Sequence, residues 1–387
     1  MNKFVFTIPL LVLSVQAYSK DYDEVFPEYF EYCAASQVKY TKTYFEGSVG
    51  GPGGHGFLYV HGLCKDNSKG YPQVKPCEEE GSGVGISLDS DYANVKWIAV
   101  PGRDLMMNGN HSPEDINPVS LEEIENVKLK AYELEIFKGV ELKAEDIAKY
   151  KFGSKQYEMA AAEWSIGTDL ALRFGRELRC TRTPISKSQV SDLANYLNAE
   201  NDKYYKTEAV YEWSFVYNNC SHLTLNAGAS IGINQSIKAD QSFLKQLTNI
   251  AVPANAYMSV SDQWTLKKLK LRHLRKSDSL KKYSTHPNQF GSLMQKLPAF
   301  KTNHMFLTDD IKGISIPRKN ILKMFKTAKG YDKYLDKKEN TDLEENAKKW
   351  VKIYQKLIKK LEKKGDQESI EYSYLSKQLE KSLSILK

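Results

Sequence analysis

The sequence predicts an α+β protein, an antiparallel sheet with packed helices followed by a C-terminal helical hairpin. Three observations carry this. His55 to His61, Gly83 to Leu88 and Val95 to Val100 are short strand-like runs separated by turn residues, the spacing of an antiparallel meander. Val190, Leu193, Ala194 and Leu197 recur at helical spacing behind Ser186, a good N-cap residue. At the end of the chain, two apolar stripes of helical period are separated by Gly365.

Taken in order, the chain opens on the apolar run Phe4 to Val15, preceded by Lys3 and followed by Val15-Gln16-Ala17. The run is too short to span a bilayer, and the small residues suit signal peptidase, so residues 1 to about 17 read as a cleaved secretory signal. The mature protein is then expected in the periplasm or outside the cell, with no lipid on its own N-terminus because no cysteine follows the cleavage point. With 387 residues, 41% of them hydrophobic, the chain is long enough to bury a substantial core. A mean hydropathy of −0.52 excludes a polytopic membrane protein.

Next, Gly50 to Gly54 forces a turn before the strand His55 to His61, and a cysteine-flanked insertion from Cys64 to Cys77 precedes the other two strand runs. Residues 119 to 150 fit helix and strand equally. Ser186 starts an amphipathic helix over Lys187 to Asn198, and Cys220 stands at or near the start of another that runs to Ala229. Residues 18 to 250 are read as one domain, 251 to 330 as a basic linker or extension, and 331 to 387 as the hairpin. Thr341-Asp342-Leu343-Glu344 reads as the hairpin's capping box, and its stripe includes Ala347, Trp350, Tyr354, Leu357 and Leu361. That stripe is expected to pack on the body or to dock on a membrane surface or partner.

The net charge of +7 conceals an asymmetry. Residues 1–250 carry 25 Lys and Arg against 33 Asp and Glu, a charge of −8, whereas residues 251–387 carry 30 against 15, a charge of +15. For an exported chain such a basic end suits an anionic membrane surface rather than nucleic acid, with Lys267, Lys268, Lys270, Arg272, Arg275 and Lys276 its densest cluster.

Five cysteines, Cys33, Cys64, Cys77, Cys180 and Cys220, leave one unpaired in an oxidising compartment, and the other four allow three connectivities. Cys220 is the thiol best placed for chemistry. A thiol attacks a carbonyl carbon as thiolate, and a helix N-terminus together with a histidine favours that form. His55, on a glycine-lined strand, supplies the imidazole. His61 shares its face but lies roughly 20 Å along the strand, too far for a relay. Asp89, Asp91 and Asn94 are nearer candidates for a third group, and Asn94 is preferred. His222 points away from the thiol and reads as structural. The chain lacks a phosphate-loop ending, a Gly-x-Ser-x-Gly elbow and a His-Glu-x-x-His pair, so no metal or cofactor is expected.

Gly54-His55-Gly56-Phe57-Leu58, Asp91-Tyr92-Ala93-Asn94-Val95 and the stretch Tyr211 to Leu223 with Asn219-Cys220 together resemble the bacterial Lnb N-terminal periplasmic domain family. The order, histidine early on a strand and cysteine late at a helix start, is that of circularly permuted papain-like enzymes, which include NlpC-like amidases and lecithin:retinol acyltransferase-like enzymes. The resemblance covers residues 25 to 245. It implies a circularly permuted papain-like sheet and a thiol-dependent domain linked to N-acylation of lipoproteins. Cys220 would be the acyl-accepting nucleophile, His55 its base, and Asn219 would lie near the oxyanion. The expected substrate is an acyl lipid, lipoprotein or peptide. Acylating members carry membrane spans after the thiol domain, whereas here a basic stretch and a hairpin follow. Transfer at a membrane surface, hydrolysis in the manner of a cell-wall peptidase, and a non-catalytic envelope-binding role all follow from the same residues.

Overall fold

A computed structural model describes residues 21–35, 54–79, 81–115, 117–207, 209–214, 217–235, 253–301, 333–335 and 337–387. The segment read as a secretory signal and the glycine turn ahead of Gly54 lie outside the described residues.

The centre is a six-stranded antiparallel sheet. It comprises β1 (Tyr29–Ala35), β2 (His55–His61), β5 (Gly83–Ser87), β6 (Ile98–Pro101), β7 (Leu178–Pro184) and β8 (Leu293–Leu297), in the order β6-β5-β2-β1-β7-β8. The Cys64–Cys77 insertion forms a separate two-stranded ribbon, β3 (Leu63–Lys65) with β4 (Val74–Pro76). Meander pairing of β2, β5 and β6 is as the strand runs predict. What the local pattern does not show is that β1 lies between β2 and β7, pairing along its whole length with both.

Both faces of the sheet are covered, and all seven residues of β1 and of β2 are buried. Phe30 and Tyr32 point to one face, where Tyr32 stacks on Tyr257 and Phe30 meets Trp264 edge-on. On the opposite face, Glu31 is fully buried between Arg103 and Arg182. Gly85 explains the glycine spacing of β5, because a Cβ there would come within 1.7 Å of the Met106 sulfur.

Among the described residues, seven helices longer than two turns pack around the sheet: α1 (Leu121–Glu133), α2 (Lys155–Ser165), α3 (Lys187–Tyr205), α4 (Cys220–Ser230), α5 (Pro253–Ser261), α6 (Leu343–Glu362) and α7 (Ile370–Ile385). Residues 121–133 resolve as helix, with Ser120 and Glu123 forming a capping box. Ser186 caps α3 as its sequence predicts.

Of the stretch 251–330 expected as a basic linker or extension, residues 253–301 are described and are part of the folded body, and residues 302–330 lie outside the described residues. Helix α5 packs on β1 and β7, and Leu293–Leu297 completes the sheet beside β7. Lysines dominate the composition there, but Trp264, Leu269, Leu274 and Leu280 are interleaved among them and face inward. The hairpin packs on the body through its apolar stripe. Trp350, Tyr354 and Leu361 are buried, the Phe290 N–H donates to Tyr354 Oη at 2.7 Å, and the Gly291 N–H donates to Asn346 Oδ1 at 2.9 Å. Its cap falls one residue from the predicted box: Asp342 accepts from the Glu345 N–H at 2.9 Å. Arg275, expected in a cluster facing a membrane, instead bridges to Asp366 and Glu371 of the hairpin.

Of the three connectivities, the chain adopts Cys33–Cys180 and Cys64–Cys77, and Cys220 is free. Cys33 and Cys180 sit directly opposite one another on β1 and β7, so the bond ties the sheet's centre across 147 residues. These bonds point to an oxidising compartment. Among the described residues no helix is long and apolar enough to cross a membrane.

Candidate functional site

Helix α4 starts where the sequence places its cysteine. Asn219 is its N-cap: Oδ1 accepts the Ser221 N–H at 2.9 Å and the His222 N–H at 3.2 Å, and His222 Nδ1 lies 2.9 Å from the same oxygen. Asn219, expected near the oxyanion, commits its side-chain oxygen to this cap. His222 completes that cap and is structural.

The start of α4 rests against the first residues of β2. Pairing of β2 with β5 runs from Leu58 to His61, leaving the start of β2 free along that edge for another partner. Gly56 makes the approach possible, since a Cβ there would stand 3.2 Å from Tyr32 Oη and 3.7 Å from Ser221 Oγ. Gly54, at φ +80°, delivers the chain into the strand in a conformation that side chains resist.

The backbone amides of Gly56 and Ser221 face the Cys220 thiol and favour its thiolate. Burial pushes its pKa above the ordinary 9.0, opposed by these amides and by the Arg176 guanidinium. His55, one residue before Gly56, is also buried, and its pKa is pushed down to about 3, first by burial and then by Arg176. The resting pair is therefore a neutral thiol and a neutral imidazole. Arg176, fully buried, donates from Nη1 to the Gly167 carbonyl at 2.8 Å, and burial brings its own pKa down to about 10.

Asn94 is not His55's partner. Its Nδ2 donates to the Gly139 carbonyl at 2.9 Å and its Oδ1 accepts the Glu141 N–H at 2.8 Å, so the side chain pins a loop. His55 Nε2 instead lies 2.7 Å from Ser87 Oγ, and Ser87 Oγ donates to Asp169 Oδ1 at 2.5 Å. Burial and the neighbouring Asp89 hold the Asp169 carboxyl well above the usual range, while burial and Asp91 bring Asp89 up to about 6. Ser87 had a signal in the sequence: it ends the strand that pairs with His55's own. Asp169 had none, because it arrives from a turn after α2. His61 bonds through Nδ1 to the Pro27 carbonyl at 2.7 Å, remote from the thiol as the strand rise requires.

Two clusters of metal-ligating side chains occur among the described residues. Glu31, Cys33 and Cys180 cannot serve, since both sulfurs are in a disulfide and Glu31 is held by arginines. His111, Asp115 and Glu123 form the other, in which His111 Nδ1 already meets Glu123 Oε1 at 2.5 Å.

Fold and site define a mixed α+β protein with an antiparallel sheet, two disulfides and one buried free cysteine at a helix start. Compared with family models, with curated proteins and with solved structures, the chain gives no match.

Proposed function

We propose that the protein is an exported thiol enzyme that performs covalent acyl chemistry through Cys220 and His55, in the manner of circularly permuted papain-like enzymes and of the Lnb N-terminal periplasmic domain family. One observation carries this reading. The single cysteine outside the disulfides is the first residue of a helix capped by Asn219, and its thiol lies within the influence of the Gly56 amide, the residue after a buried neutral histidine. In the proposed cycle the sulfur attacks a substrate carbonyl and His55 takes the thiol proton. The Gly56 N–H and the helix-start amides stabilise the oxyanion. Collapse of the tetrahedral adduct expels the donor's leaving group, which takes the proton from His55 and leaves a thioester on Cys220. An amine or water then attacks the thioester while His55 takes its proton, and that proton passes to the departing Cys220 sulfur.

Transfer to an amine of a lipoprotein or lipid acceptor is the leading form. A cell-wall peptidase or amidase is the second, and a specific observation favours it: the hairpin's apolar stripe is buried on the body and is not available to enter a bilayer. What the hairpin presents outward is cationic. Lys352, Lys356, Lys359, Lys360 and Lys363, with Gln355, line a shallow groove of about 460 Å³ along α6. This face supports attachment to an anionic leaflet by charge alone.

An electrophilic probe tests the mechanism. The oxidised protein should be labelled at Cys220, Cys220→Ala should lose the label, and His55→Gln should slow labelling by about 10²-fold or more. A Cys220 that resists every carbonyl-mimicking electrophile ends the proposal. Product analysis with phospholipid vesicles plus a lipoprotein peptide, against cell-wall peptides, separates transfer from hydrolysis.

A further inference from the structure

We infer that Ser87 and Asp169 are positioning residues for His55, locking its ring in the tautomer that carries the proton on Nε2 and leaves Nδ1 as the base. The catalytic consequence rests on the proposed thiol chemistry, but the tautomer itself does not. The argument follows the direction of the bonds. Asp169 Oδ1 accepts from the Ser87 hydroxyl at 2.5 Å, and the proton that the raised pKa keeps on the Asp169 carboxyl is directed at Asp89, not at Ser87. A hydroxyl has one proton, so Ser87 Oγ offers His55 only a lone pair, and the 2.7 Å contact with Nε2 requires that nitrogen to be the donor. A neutral imidazole has one N–H, and Nδ1 is therefore the unprotonated nitrogen.

The chain is built to hold this direction. Ser87 and Asp169 are both fully buried, out of reach of bulk solvent. Ser87 is fixed by its pairing with Ile98 at the end of β5. Asp169 is fixed by its own backbone, whose N–H donates to the Ser165 carbonyl at 2.8 Å in the turn after α2. Phe57 lies beside the His55 ring at a 12° interplanar angle and limits its rotation. Two segments distant in sequence from His55 thus converge on its imidazole.

During catalysis the relay moves no proton of its own. When Nδ1 takes the Cys220 proton, the imidazolium keeps its Nε2–H bond to Ser87, whose dipole points its oxygen at the new charge. No group need rotate to receive the proton.

The tautomer is readable without substrate. Long-range ¹H–¹⁵N correlation spectra of the full-length protein, with His55 assigned by its disappearance in His55→Gln, should show the Nε2–H form. Ser87→Ala, which removes one buried oxygen, should mix the two tautomers and slow Cys220 alkylation about 10-fold at fixed pH. Ser87→Thr keeps the oxygen and should restore both. An Nδ1–H tautomer in the native protein, or an unchanged tautomer in Ser87→Ala, overturns the inference. If Ser87→Ala shifts the tautomer while neither it nor His55→Gln alters alkylation, the positioning stands and the thiol-enzyme reading falls.

Discussion

At the scale of the residue, Cys220 is a thiol whose burial works against its ionisation while two amides and Arg176 work for it, and burial wins. The sign sets a prediction. Alkylation of Cys220 by iodoacetamide should be slow at pH 7 and climb through pH 9 and beyond, because the reactive thiolate is the minor form below its raised pKa. A rate that plateaus below pH 8 would show a pre-formed thiolate and sink the neutral resting pair. In substrate turnover His55 removes this limit, since the proton leaves in the attack itself.

At the scale of the element, β1 holds the centre of the sheet, and its one ionised side chain is Glu31. Arg103 binds both carboxylate oxygens, at 2.9 and 3.0 Å, and Arg182 adds a third bond at 3.2 Å. Burial alone would raise the pKa of Glu31; the two guanidiniums overcome it and hold the group at about 2. A carboxyl whose folded pKa lies below its ordinary 4.5 stabilises the fold fully above 4.5. That stability, about 3 kcal/mol, is lost as pH falls from about 4.5 to 2. Urea titrations across this range should show the native protein losing stability with a steepness that Glu31→Gln lacks. The variant should already be weaker at pH 7, by about 3 kcal/mol or more, because two buried guanidiniums lose their counter-charge. Parallel pH curves for the two proteins would refute this assignment.

At the scale of the whole molecule, the described residues of the basic C-terminal third are part of the body rather than an appendage. Helix α5 and β8 complete the central fold, so a truncation at residue 263 would remove an edge strand and is expected to unfold the protein, not to yield a free thiol domain. The outer face of α6 is the part that can be altered without touching the core. Each lysine near an anionic leaflet contributes about 1 kcal/mol, screened by salt. The mature protein should therefore sediment with phosphatidylglycerol vesicles at low salt and not with phosphatidylcholine. Changing Lys352, Lys356, Lys359 and Lys363 together to glutamate should abolish this and leave the melting temperature and Cys220 labelling in place. Sedimentation unaffected by those four changes would remove α6 as the attachment face.

By itself the sequence determined the features that depend on near neighbours. The strands of the meander, the cap at Ser186, the helix start at Cys220 and the hairpin's apolar stripe are set by side chains a few residues apart, through local hydrogen bonds and periodic burial. The odd cysteine was legible by counting, and its identity followed once the helix start was read. Tertiary structure alone decided what depends on distant segments meeting. It placed β1 between β2 and β7, brought β8 from a lysine-rich stretch to the sheet's edge, and joined Cys33 to Cys180. It also replaced Asn94 with Ser87 and Asp169 as the partners of His55. The physical reason is the same in each case: a cap or stripe is fixed by chain geometry over one or two turns, whereas a strand's neighbour or a buried hydroxyl's acceptor is fixed by which surfaces exclude water together.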